Sequence, residues 1–314
     1  MLPALIVAFP NSPLIDGPDD DLSHAALRFK FFLTLYFLRT GTTYRKMEFI
    51  FGWGRQTILN WITAIIPMIL SVLATFRRFP SVHEQSLMAL EHATYIFQKS
   101  ADLMEYYGLR LNWGAVVGAM QRVFQGAIAA IDGTYTLCCR FPEDIQEMMY
   151  TGYKKFHAYK LVIVYSMFTK VVLGIFIRPA TVSDGMAWTL DTTVAPLLIK
   201  SFHLLGDAAF NGYPEIIAPF RTEDINQMER VNPAMAACMR YFKTAHSSNR
   251  MSSEHVVGIL KNWAVIRGTS KAKMFLSEQA FTNAVTAVWS LVNISQSNYL
   301  SDEKPFRMFH SSDL

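Results

Sequence analysis

The sequence predicts an α/β protein, with a mixed-sheet core behind an N-terminal region made only of helices. Three observations carry this. Apolar residues recur at helical spacing up to about residue 126, and β-branched runs take over from Ala127. Those runs are Ala127–Cys139, Tyr159–Met167, Val171–Ile177 and Phe202–Leu205. Helical patterns then return and continue almost to the C-terminus. Three strands, a helix, a strand and further helices describe a mixed sheet covered by helices.

Taken in order, residues 1–22 read as a loose arm. Asn11-Ser12-Pro13 and Asp16-Gly17-Pro18-Asp19-Asp20-Asp21 are turn chemistry with little apolar periodicity. A helix is expected from about Ser23, as N-cap, to Leu38. The segment at about 43–66 reads as helix, Gly52-Trp53-Gly54 turn, helix. In the second of these helices Ile58, Ile62, Ile65, Ile66 and Ile69 form one stripe, with Arg55, Gln56 and Asn60 outside it. This is the layout of a helix-turn-helix with polar residues opening the reading helix, which makes Arg55, Gln56 and Asn60 candidate DNA contacts. Residues 80–126 look helical, broken at Gly108, Gly114 and Gly118. The resulting division is an arm (1–22), a helical region (23–125) and an α/β domain (126–314).

Within that last domain, Leu161–Ile177 is the strongest apolar stretch. Ser166, Thr169 and Lys170 interrupt it, and it is short for a membrane span, so it reads as a hairpin around Phe168-Thr169-Lys170. Helices are expected over Asp184–Lys200, Thr222–Lys243 with an interruption at Pro233, Ser252–Val265 and Glu278–Ile294.

Composition supports a packed core: of 314 residues, 51% are hydrophobic and 17% charged. A net charge of +4 permits a nucleic-acid partner without arguing for one. The apolar N-terminal stretch lacks a basic flank, so a signal peptide is not expected. Cys138, Cys139 and Cys238 have no zinc spacing and read as small, reduced core residues.

The chemistry concentrates in three acids. Asp132 and Asp207 end apolar runs that read as buried strands, and Glu254 opens an amphipathic helix. A carboxylate at the end of a core strand is costly to bury unless positive charge shares it. Three such groups can hold a pair of hard cations, and such a pair can cut or join phosphodiesters. Each acid also has an ordinary explanation. Asp132 before Gly133 suits a turn, Gly206-Asp207 suits a strand exit, and Glu254 suits a helix dipole. Arg250, Glu254 and Lys261 fall near one helical face.

A series of motifs in register is similar to the PIF/Harbinger-type transposases and their domesticated relatives, the DDE superfamily endonucleases. Ile131-Asp132-Gly133-Thr134 resembles the first catalytic block and Gly152-Tyr153-Lys154-Lys155-Phe156-His157 the Tyr-basic segment after it. Arg178-Pro179-Ala180-Thr181-Val182-Ser183-Asp184 resembles the block usually written Pro-Gly-Ser, two residues, Asp; here Ala180 replaces the usual Gly. Leu205-Gly206-Asp207, with Gly212-Tyr213-Pro214 and Pro219-Phe220, resembles the second catalytic block, and Arg250 through Trp263 the third. Before the third block, Lys243-Thr244 stands where the family has Asn.

The resemblance implies an RNase H-like fold and catalysis by Asp132, Asp207 and Glu254 holding two Mg²⁺ or Mn²⁺ ions. It implies phosphate contacts by Arg250, Lys261 and the Lys154, Lys155, His157 segment. It further implies DNA as substrate, a Myb-like DNA-binding partner protein, a homodimer for paired ends, nuclear localisation and no membrane. The competing expectation is a domesticated relative that keeps the fold and binds DNA or acts as a scaffold without cutting. A helical membrane-associated protein is a third, and Lys170 and the motif series argue against it.

Overall fold

The computed structural model describes residues 20–93, 124–138, 143–268 and 277–302. Most of the N-terminal arm, the segment containing Gly108, Gly114 and Gly118, and Cys139 lie outside the described residues.

The N-terminal region is helical. Helix α1 spans Asp20–Thr40, so Ser23 lies inside it rather than capping it. Helix α2 spans Tyr44–Phe51. The Thr43 hydroxyl accepts from the Lys46 amide at its start, and Gly52 ends it at φ 73°, a left-handed conformation that favours glycine. Helix α3 spans Arg55–Val72 and buries all five isoleucines of the predicted stripe. A single 3-10 turn at Ala74–Arg77 and helix α4 (82–93) follow.

Strand β1 runs Ala127–Leu137, followed by helix α5 (Glu143–Met149) and strand β2 (Tyr150–Thr151). Strands β3 (Phe156–Tyr165) and β4 (Val172–Pro179) form the expected hairpin, with Lys170 at φ 60° in its turn. Helix α6 covers only Asp184–Thr189, not the predicted Asp184–Lys200. The Asp191 carboxylate explains the difference. It accepts the amides of Thr193 (3.1 Å), Val194 (2.7 Å) and Ala195 (2.8 Å), which folds the chain into a turn before Pro196.

Strand β5 (His203–Leu205) and strand β6 (Ile216–Ile217) complete the sheet. Helices α7 (Thr222–Val231) and α8 (Pro233–Arg250) meet at Asn232, whose side chain caps α8 through the Met235 amide. Helix α9 (Ser252–Lys261) stops before an extended Trp263, so the predicted Ser252–Val265 helix divides into α9 and α10 (Ala264–Arg267). Helix α11 spans Glu278–Asp302. Cys238, on α8, is exposed rather than part of the core.

The sheet is mixed, in the order β4–β3–β1–β5–β6, with β2 pairing the first residues of β3. β3 runs antiparallel to both β4 and β1, whereas β1, β5 and β6 run parallel. Its two faces are buried in separate apolar clusters. Ala130, Leu161, Ile163 and Tyr165 pack with residues of α9–α11 and of the N-terminal helices. Ile131, Val162 and Val164 pack with Trp188, Val194 and Phe210 on the other side. Alternation along β1 predicts Ile128 on the Ala130 face, yet Ile128 joins the opposite cluster. A register shift between Ala127 and Ala129 causes this, since one irregular step inverts the side on which a residue falls.

Helix α3 packs against α1, α2 and α11. It is the one helix among the described residues long and apolar enough to cross a membrane, at mean hydropathy 1.2. Its isoleucines lie in the core cluster shared with α11. Asn293 of α11 ties the layers together: its Oδ1 accepts the Val172 amide, and its Nδ2 donates to the carbonyls of Phe76 and Val172.

Candidate active site

β1 and β5 are parallel neighbours, with Ala130 opposite Leu205. Two residues further along each chain stand Asp132 and Asp207, so the pairing brings two distant acids to the same level at the carboxyl end of β5. Asp132 shares the side of β1 that faces α9. Its Oδ1 accepts the Gly133 amide at 2.9 Å and lies 3.3 Å from a guanidinium nitrogen of Arg250, while Ser253 donates to the same carboxylate. Asp207 turns its Oδ1 to the Ala209 amide at 2.8 Å and caps the short 3-10 turn Ala208–Phe210.

The electrostatics of Asp132 are unbalanced. Burial raises its pKa above the ordinary carboxylate value, Arg250 pulls the other way, and the negative charge of Asp207 adds to the rise. Lys261, half-buried on α9, is lowered by burial, with the attraction of Asp132 opposing the shift.

Glu254 occupies the first turn of α9 and is exposed. Lys261 stands two helical turns further along and therefore on the same stripe. The residue of this turn that reaches Asp132 is Ser253, which is 7% exposed. Among the described residues no three His, Cys, Asp or Glu side chains are grouped closely enough to hold one metal ion. Two carboxylates do adjoin, with repulsion between them, and a magnesium-type site needs no more than one or two carboxylates plus water and phosphate oxygen. The donor set therefore suits a hard divalent cation.

The remaining candidates lie elsewhere. Arg250 is 15% exposed and engaged with Asp132. Lys154 and Lys155 sit in the β2–β3 turn, where Lys155 has φ 58° and donates its amide to the Thr151 carbonyl at 2.7 Å. Lys154 lies over the exposed Tyr153 ring, and His157 packs against Tyr150. His157 is six residues along β3 from Ile163, the register partner of Asp132, which is roughly 20 Å of strand. Arg55 pairs with Glu48 at 2.9 Å, and Gln56 donates to Asn60 at 2.9 Å, all on the exposed start of α3.

Reading the sequence missed Ser253 and Lys160. Lys160 is a buried lysine that pairs with Asp184 at 2.8 Å. Its signal was available, since a lone Lys in the apolar run Tyr159–Tyr165 requires a counter-charge.

Fold and site together define a mixed-sheet α/β protein with one carboxylate midway along β1 and a second just past the end of its parallel neighbour β5. Residues 131–293, just over half of the chain, match the sequence model of the DDE superfamily endonucleases. The chain belongs to that family, in keeping with the PIF/Harbinger-like motif series. No curated protein and no solved structure matches it.

Proposed function

We propose that this chain is a metal-dependent DNA endonuclease of DDE type, with an RNase H-like core. In this reading Asp132, Asp207 and Glu254 hold two Mg²⁺ or Mn²⁺ ions. The observation that carries the reading is the side-by-side placement of Asp132 and Asp207, with the Asp132 charge under-compensated. The ions supply activation of the attacking oxygen and stabilisation of the leaving oxygen. The chain's own residues do the rest. The Gly133 amide and Ser253 fix the Asp132 carboxylate, and the Ala209 amide fixes Asp207. Glu254, exposed in the first turn of the helix that carries Ser253, is the third ligand in this reading, although it does not group with the two aspartates in the structure. Lys261 and Arg250 put positive charge next to where a scissile phosphate would lie.

The hairpin tip with Tyr153, Lys154, Lys155 and His157 supplies backbone contacts away from the cut. The helix-turn-helix, through Arg55, Gln56 and Asn60, contacts DNA at a second place. A Myb-like partner protein, a homodimer that pairs two ends and a nuclear location belong to the same proposal.

The test is nicking of supercoiled plasmid in Mg²⁺ or Mn²⁺ by wild type and Asp207→Asn. Metal-dependent nicking that disappears in the variant supports the reading; equal nicking by both removes Asp207 from the site. A second reading, a DNA-binding relative that does not cut, is favoured by one feature: the Arg250 guanidinium already shares the Asp132 charge. It predicts DNA binding with no nicking at any metal concentration.

A further inference from the structure

The candidate acids are backed, on the opposite side of β1, by a buried ion pair. Gly133, the residue after Asp132, has no room for a side chain: a Cβ there would stand 2.6 Å from Oδ1 of Asp184. Asp184 opens α6 under the Ser183 cap, and Lys160 Nζ of β3 holds it at 2.8 Å. The Lys160 side chain is 6% exposed and lies over the ring of Tyr135, its register partner on β1.

The next residue makes the matching contact toward the other acid. A Cβ at Gly185 would overlap the ring and hydroxyl of Tyr213, in the loop that follows Asp207. Helix α6 also packs on the 3-10 turn capped by Asp207. Asp184-Gly185 is therefore wedged between the segment that carries Asp132 and the segment that carries Asp207, with no slack at either contact. A buried charge pair is a poor way to gain stability, because apolar residues of similar volume often serve as well or better. Its merit is directional: it fixes α6 in one place.

We infer that the Lys160–Asp184 pair is a positioning strut that sets the spacing of Asp132 and Asp207, and through it their affinity for a divalent cation. This rests on the reading of those two acids as metal ligands. The coupling runs through Gly133. Its Cα faces Asp184, and its amide donates to Asp132 Oδ1, so a shift of Asp184 releases Gly133 and lets the carboxylate turn. Partners that orient ligands are typically worth about 10–100-fold in metal affinity.

The experiment is titration of the full chain with Mn²⁺ alone, followed by calorimetry and by electron paramagnetic resonance of free Mn²⁺. Wild type is compared with Asp184→Asn, Lys160→Met/Asp184→Asn and Asp132→Ala, each with its melting temperature. Asp184→Asn leaves an unpaired buried lysine, so the double variant carries the test. The double variant leaves neither charge and keeps the fold, and it is expected to bind Mn²⁺ about 10–100-fold more weakly than wild type. A folded double variant with wild-type Mn²⁺ affinity overturns the strut. So does a double variant that has lost its fold, since the pair is then a stability element. The underlying reading fails separately, if wild type binds no Mn²⁺ or Asp132→Ala binds it as well as wild type.

Discussion

Asp132 carries its charge where the fold accommodates it poorly. Burial disfavours the carboxylate, the repulsion from Asp207 adds to the penalty, and Arg250 offsets only part of it. An acid whose folded-state pKa is raised makes folding less favourable as pH climbs through the window above its ordinary value. The neutral isostere Asp132→Asn should therefore melt at a higher temperature than wild type at pH 7 in chelator. With millimolar Mn²⁺ the order should reverse, because only wild type gains from binding. Differential scanning with and without Mn²⁺ checks both halves; a variant that melts lower than wild type in chelator contradicts this account of the charge. Glu254 is the opposite case. It is exposed and sits at a helix start, so its removal should change stability by no more than about 0.5 kcal/mol.

Most elements were legible in the sequence because local patterns set them. The isoleucine stripe defines α3, the Gly52-Trp53-Gly54 turn ends α2, and the β-branched runs flanking Lys170 define the β3–β4 hairpin. What failed depended on single polar side chains or on pairing between distant segments. The Asp191 turn ended α6 early, against a helical pattern that continued past it. The register of β1 against β5, which puts Asp132 beside Asp207, has no local signature, and neither does the wedge of Asp184-Gly185. The resemblance named the acids; only the fold shows which two adjoin. Asn293→Ala removes the side-chain partner of the Val172 amide and the Phe76 carbonyl, while Trp289 still donates to the Val172 carbonyl, and should cost about 1–3 kcal/mol in urea unfolding. Arg55→Ala, at the exposed start of α3, should weaken DNA binding and lower the salt slope by about 1. Unchanged affinity across a salt series removes α3 from the DNA interface.

At the scale of the whole molecule, the N-terminal helices and the sheet share one apolar cluster, with α11 packed on both α3 and β4. Two buried histidines in this body make its stability sensitive to acid. Burial pushes His92 and His246 each down to about 4, with Arg250 adding to the shift at His246. The unfolded chain takes up protons from about pH 6.5 downward while the folded protein refuses them until about pH 4. The stability that this contributes is complete above about 6.5 and is lost as pH falls toward about 4. The urea midpoint should drop between pH 7.5 and pH 5, and by less in His92→Gln; an identical drop in that variant contradicts the assignment.

The function proposed for Asp132, Asp207 and Glu254 is metal-dependent cutting of DNA. Its most direct test is a nicking time course on supercoiled plasmid, in Mg²⁺ and in Mn²⁺, with wild type beside Glu254→Ala. Glu254 serves best because it is exposed at a helix start, so its loss is expected to leave the fold intact. Wild type should nick only with metal, and the variant should lose at least about 100-fold, as when a group acting in the transition state is removed. Nicking at the wild-type rate by Glu254→Ala, or none by a wild type that binds Mn²⁺ and DNA, would contradict this function.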